Sequence, residues 1–247
     1  MTARRPLALI LGVTSDIGRA LARAFASEGY ELIVTARDAA RLQVEVQDLA
    51  NRYDGPVHGE LFDAENLSQH ERLVQGLVTV PDVIVCVIGL MPPQAEVEQD
   101  QGLAFKVMAT NYVFPALILE LLAGLCQARG SGSIVGVSSV AGDRGRASNY
   151  FYGSSKAGFT AYLSGLRNRL QGSGVHVMTV KPGFVYSRMT ESMSLPRRLT
   201  VQPDQVAARV LRAVKKKSDV VYVAGIWRWI MLLIRSLPEP VFKRTQL

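Results

Sequence analysis

Apolar positions along the chain switch between two periods. Leu7-Ala-Leu-Ile-Leu11 is an unbroken apolar run, the pattern of a parallel strand buried on both faces. Ile17, Ala20, Leu21, Ala24 and Phe25 then recur at helical spacing. The pattern predicts a second strand over Tyr30–Ala36, a helix over 38–52, a third strand over Val57–Phe62 and a short helix over 67–79. A fourth strand over 81–89 closes on Gly89, and a long helix follows over 101–128. Gly132–Val137 reads as a fifth strand. A helix then carries Tyr152 and runs to Leu170, with Ala157, Ala161, Leu163, Leu166 and Leu170 facing the core. Strand Val175–Val180, a helix over Asp204–Lys217 and strand Val220–Val223 complete the series. No repeat or linker interrupts it, and 247 residues suit one α/β domain.

The last segment breaks the pattern. Ile226-Trp-Arg-Trp-Ile-Met-Leu-Leu-Ile-Arg-Ser-Leu237 is apolar nearly all round, and such a helix must bury itself in something. It is too short to cross a bilayer of ~30 Å. It is expected in the core, in a dimer interface, or in a membrane interface with Trp227 and Trp229 near the headgroups. Charge sharpens this picture. The net charge is +7, and residues 188–247 hold 12 Lys/Arg against 4 Asp/Glu. The positive excess therefore lies beside the apolar tail, as expected for an anionic surface or ligand. Nucleic acid is disfavoured, because no helix-turn-helix, zinc or RNA-binding motif is present. Cys86 and Cys126 fall in apolar runs and read as buried thiols of a reducing, cytoplasmic compartment. Met1-Thr-Ala-Arg-Arg5 leads directly into the first strand, without the look of a signal peptide.

Candidate chemistry centres on Tyr152 and Lys156, which share one helical face at i and i+4. A nearby ammonium favours a phenolate, so the pair is an acid/base candidate at neutral pH. The turn Gly12-Val-Thr-Ser-Asp-Ile-Gly18 lies between a strand and a helix, the context of a dinucleotide site. Small residues there let backbone approach a pyrophosphate, which the helix N-terminus attracts. Asp16 interrupts that logic, because a carboxylate aimed at a phosphate repels it; it is expected to point away. Strand two ends in Ala36-Arg37, where an acid would bind ribose hydroxyls. The guanidinium of Arg37 suits a 2′-phosphate instead, so NADPH is the preferred cofactor. Asp38 leaves NADH as the alternative.

Taken in order, the glycine turn, Asn111, Ser138-Ser139, Tyr152-Gly-Ser-Ser-Lys156 and Lys181-Pro182-Gly183 resemble the short-chain dehydrogenase/reductase family. The resemblance implies a Rossmann-type, doubly wound sheet of seven parallel strands with helices on both faces, in one domain, and a homo-oligomer. It implies catalysis by Asn111, Ser139, Tyr152 and Lys156, with Ser138 as the fallback serine. It implies that Gly12, Thr14, Ser15, Asp16, Ile17, Gly18, Arg37, Asp63, Gly89, Pro182, Gly183, Val185 and Ser187 hold the cofactor with Tyr152 and Lys156. The domain would span 1–225, including a substrate loop at 188–202, with the tail at 226–247 either part of it or a membrane or dimer contact. Asp143, Arg144 and Arg146 read as solvated loop charges or as holders of an anionic substrate. No metal site is expected.

Several stretches, among them Ser138–Arg146, Phe151–Gly158 and Trp227–Pro238, resemble one branch of that family, the decaprenylphosphoryl-2-keto-erythro-pentose reductases. That branch implies a lipid-linked keto-sugar substrate, a flavin oxidase partner and docking on the inner face of the plasma membrane. The rival expectations are reduction of a 3-oxoacyl or steroid-like carbonyl, and a nucleotide-binding, membrane-attached regulator without turnover.

Overall fold

A computed structural model describes residues 4–191 and 193–245. Strand β1 (Leu7–Leu11) is followed by α1 (Asp16–Ser27), β2 (Glu31–Ala36), α2 (Ala39–Arg52), β3 (Val57–Leu61), α3 (Leu67–Gly76) and β4 (Val83–Cys86). After α4 (Gln94–Gln99), α5 (Gln101–Met108) and α6 (Phe114–Arg129) come β5 (Gly132–Val137), α7 (Tyr150–Arg169) and β6 (Val175–Lys181). Short strands β7 (Phe184–Val185) and β8 (Thr200–Val201) precede α8 (Pro203–Lys215), β9 (Val220–Tyr222), α9 (Ile226–Ser236) and α10 (Glu239–Phe242).

Seven strands form one parallel sheet in the order β3-β2-β1-β4-β5-β6-β9. Side chains of β1 alternate across it. Ala8 and Ile10 meet Leu21 and Phe25 of α1 and Val210 of α8, while Leu9 and Leu11 meet Leu119 of α6 and Leu163 of α7. Two cores on opposite faces explain why the strand reads as continuously apolar. The doubly wound sheet reverses direction between β1 and β4, and a ligand crevice is expected beyond the strand ends there.

Three features differ from the sequence pattern. The helix expected over 67–79 ends at Gly76, and α4 was not foreseen. The disturbance of the long helix, by contrast, is the one that Pro115 predicts from its missing N–H: a π-turn over Ala109–Val113 divides it. Ala161 is exposed and Phe159 faces the core in its place, while Leu163, Leu166 and Leu170 are buried as their spacing predicts. The tail helix is two-sided rather than buried all round. Trp227, Met231 and Ile234 pack inward with Val140, against Phe184, Leu199 and Tyr222. Trp229, by contrast, is 69% exposed, with Ile226, Leu232 and Leu233 also exposed. Residues 101–129 are long and apolar enough to span a membrane by length and composition, but half of their most apolar 18-residue window is buried against the fold.

Candidate active site

The C-terminal ends of β4 and β5 open into two joined cavities, of about 430 and 720 Å³. They share Ser15, Val87, Ile88, Gly89 and Arg188.

The smaller cavity gathers Ser139, Tyr152 and Lys156. Ser139 ends the extended run of β5 and its Oγ accepts from the Ala141 amide at 3.1 Å. Ser138 faces the other way, its Oγ donating to the Lys156 carbonyl at 2.9 Å and pairing with Thr160 Oγ1 at 2.7 Å. The fallback serine thus fastens β5 to α7. Lys156 is buried; its Nζ donates to the Val137 carbonyl at 3.1 Å and lies 5.9 Å from the centre of the Tyr152 ring.

Burial pushes the Tyr152 phenol up to about 12, with the Ser139 hydroxyl pulling it down. Burial also pushes the Lys156 ammonium down to about 8. The expectation that Lys156 depresses Tyr152 is therefore not met by this chain on its own. Desolvation disfavours the charged form of each and is the largest cause of both shifts. Tyr152 is left with its proton on, the state a proton donor needs.

Asn111 lies in the π-turn and is fully buried. Its Nδ2 donates to the carbonyls of Leu90 and Val107 at 2.6 and 2.8 Å, and its Oδ1 accepts from the Leu90 amide at 3.1 Å. The π-turn is thereby tied to the segment after β4. A Cβ on Gly89 would stand 3.1 Å from Asn111 Oδ1 and 3.5 Å from Lys156 Nζ. Glycine leaves these two groups as neighbours.

The larger cavity carries Gly12, Thr14, Arg37 and Asp63. Gly12 has φ +98°, and a Cβ on Gly18 would collide with the Gly12 carbonyl. Both positions exclude a side chain, so bare backbone borders the N-terminus of α1, whose cap is Ser15 Oγ accepting from the Gly18 amide at 3.0 Å. This arrangement fits a dinucleotide pyrophosphate. Arg37 lies 3.8 Å from Glu65, and Lys106 of α5 lies 3.5 Å from the same carboxylate. Lys106 and Arg41 also line this cavity. Neither was singled out from sequence, since α5 reaches β2 only through the fold. The Asp38 carboxylate accepts from the Arg41 amide at 2.9 Å and caps α2. The Asp63 carboxylate accepts from the Glu65 amide at 3.1 Å while its residue lines the cavity.

Asp16 does turn away from the turn it interrupts. Its Oδ2 accepts from the Arg188 amide at 2.8 Å, and Arg19 lies 3.5 Å from its Oδ1. The Arg188 guanidinium reaches back to the Thr14 carbonyl. Ile17, Pro182, Gly183, Val185 and Ser187 line the smaller cavity, with the Ser187 amide donating to Thr190 Oγ1 at 3.2 Å.

Of the three loop charges, two are structural. Asp143 pairs with Lys181 and accepts from Tyr222 Oη at 2.7 Å. Arg144 donates to the carbonyls of Ile234, Arg235 and Leu237 at 3.2, 3.1 and 2.7 Å, completing the C-terminus of α9. It also pairs with Glu239 at 2.7 Å and lies 4.0 Å over the Phe242 ring. Only Arg146 of the three lines the cavity.

The short chain dehydrogenase family profile matches residues 6–197. An uncharacterized oxidoreductase of Mycobacterium tuberculosis is 38% identical over 239 residues, covering 96% of this chain and 95% of the relative. The ketoacyl reductase HetN of a Nostoc species is 30% identical over 222 residues, covering 87% of this chain and 77% of the relative. Among solved structures, a variant of actinorhodin polyketide ketoreductase with NADPH is similar, with a TM-score of 0.81 and 25% identity over 90% of this chain and 96% of that one. With its sheet order, glycine turn and Ser139–Tyr152–Lys156 cavity, the chain belongs to the short-chain dehydrogenase/reductase family of oxidoreductases.

Proposed function

We propose that the protein is an NADPH-dependent ketoreductase whose substrate is a lipid-linked keto sugar, a polyprenyl-phosphate pentose. The observation that carries the reductase reading is the convergence of Ser139, Tyr152 and Lys156 on one cavity that continues into a groove bordered by Arg37. NADPH bound along that groove supplies the hydride. The protein residues hold the carbonyl and move the proton. Ser139 Oγ hydrogen-bonds the carbonyl oxygen, and Tyr152 Oη donates its proton to that oxygen. Lys156, with its pKa lowered to about 8, is a competent donor to restore the tyrosine proton. Arg37, Arg41 and Lys106 would hold the 2′-phosphate, while Asp38 spends one carboxylate oxygen on capping α2.

The substrate reading rests on α9. Its Trp227 lines the catalytic cavity, while its outer face exposes Ile226, Trp229, Leu232 and Leu233 beside Arg228 and Arg235. One helix thus separates the cavity from an apolar, basic surface suited to an anionic bilayer on the cytoplasmic side. A flavin oxidase that forms the ketone would act just before. Exposed Phe105, Tyr112, Leu117 and Leu121 on the α5–α6 side leave a separate face for a second copy of the chain. The ketoacyl reductases among the relatives favour a second reading, a 3-oxoacyl substrate.

Oxidation of NADPH with a panel of ketones tests the reductase reading. Tyr152→Phe should lose ~10²–10⁴-fold in turnover while still binding cofactor. Near-normal turnover by the folded variant would end the assignment. A rate that depends on lipid vesicles separates the lipid-linked ketone from the 3-oxoacyl one.

A further inference from the structure

Arg146 takes part in none of the ion pairs among the described residues, although the charge of Asp143 reaches it. It lies between β5 and α7 and lines the catalytic cavity. Its Nε is shut away from solvent and has no hydrogen-bond partner among the described residues. The acid nearest in sequence, Asp143, is already held by Lys181 and Tyr222. Burial holds the Arg146 pKa below the ordinary arginine value, yet a guanidinium keeps its proton in proteins. The buried Nε–H is a donor that an anion in the cavity would satisfy. Asn149 lines the same cavity, and its Oδ1, an acceptor buried without a partner among the described residues, suits a substrate hydroxyl rather than an anion. The other cations there are committed, Lys156 to the Val137 carbonyl and Arg188 to Asp16 and Thr14. Arg144 shows what a structural arginine in this loop looks like, with three carbonyls and a carboxylate around it.

We propose that Arg146 forms an anion-binding subsite of the catalytic cavity, and that the carbonyl compound reduced there carries a phosphate or carboxylate. The subsite rests on the ketoreductase reading, because it is defined by the cavity that holds Tyr152. Apolar walls from Met189, Met193, Phe184 and Trp227 accompany it, so the substrate combines an anion with an apolar body.

The test uses methyl-keto acids CH₃CO(CH₂)ₙCO₂⁻ of increasing length, their methyl esters, and the corresponding keto-alkyl phosphates. At the length that spans Tyr152 and Arg146, the wild type should prefer an anion over the ester by ~10–100-fold in kcat/KM. Arg146→Gln should lose that preference, chiefly through KM, with the ester affected far less; Arg146→Lys should keep part of it. Preference for phosphate or for carboxylate identifies the group. A binding arm needs no turnover: hexyl phosphate titrated into the NADP⁺-loaded protein should bind the wild type at least ~10-fold more tightly than Arg146→Gln. Equal kcat/KM for anions and esters at every length, or equal hexyl phosphate binding by the two proteins, would overturn the subsite. If no ketone oxidises NADPH, the ketoreductase reading falls, and the hexyl phosphate arm still decides the subsite.

Discussion

The Asp16 carboxylate takes the backbone amide of Arg188 at 2.8 Å, joining the glycine turn to a loop 172 residues further along the chain. The pair sits where the two cavities meet, at the place a pyrophosphate must cross. An acid in that turn would repel phosphate if left alone. Here its charge is met by Arg188 and Arg19, at 3.5 Å each. The same contact that neutralises the turn holds Arg188 against it.

Arg188→Gln should therefore weaken NADPH binding by about 10-fold, leaving Asp16 with Arg19 alone against its charge beside the phosphates. Removing both charges in Asp16→Asn/Arg188→Gln should recover part of the loss, since contacting residues are not additive. Cofactor titration by fluorescence measures both. Identical losses in the single and double variants would show that the pair does not act as one unit.

Cofactor choice should depend on two elements. Arg37→Ala and Lys106→Gln should each lower kcat/KM for NADPH by about 10-fold and leave NADH little changed, because both cations share the groove and the Glu65 carboxylate. A wild type that prefers NADH in the same assay contradicts this.

Lys156 should make stability depend on pH. The unfolded chain keeps the lysine proton to about 10.5 and the folded chain to about 8. Between those values the unfolded state binds more protons, so stability rises with pH; the deficit is complete below pH 8. Tyr152 acts in the opposite sense above pH 10, where the folded state holds the proton the unfolded state has lost. Urea unfolding from pH 8 to 10 should show the wild type gaining up to about 2–3 kcal/mol relative to Lys156→Met. Parallel profiles would mean the lysine is not desolvated.

The outer face of α9 should bind anionic vesicles, less so at high salt. Trp227 is 4% exposed and belongs to the core, so the test falls on Trp229→Ser and Leu233→Ser, which leave Trp227, Met231 and Ile234 in place. Each should lower vesicle partitioning about 10-fold without changing thermal stability. A wild type that stays free of vesicles at low salt would remove the membrane reading and leave the reductase.

Period and turn chemistry made much of this protein legible along the chain. Leu7–Leu11 had to be a doubly buried strand. Gly12 and Gly18 had to bring backbone close, and Tyr152 and Lys156 had to share a helical face; each of these is a short-range constraint. The tertiary structure decided what depends on distant partners. Asp143 and Arg144 read as solvated loop charges or as substrate holders, but β6 and β9 bring Lys181 and Tyr222 to the first, and α9 brings its carbonyls to the second. The same packing left Arg146 Nε without a partner among the described residues and turned one tryptophan of the tail inward and the other outward. The phenol of Tyr152 followed the same rule. Its spacing to Lys156 promised a lowered pKa, but burial acts on both groups at once and raised it. Local spacing determines which side chains can meet; desolvation and long-range pairing, which only the folded chain supplies, determine what they do there.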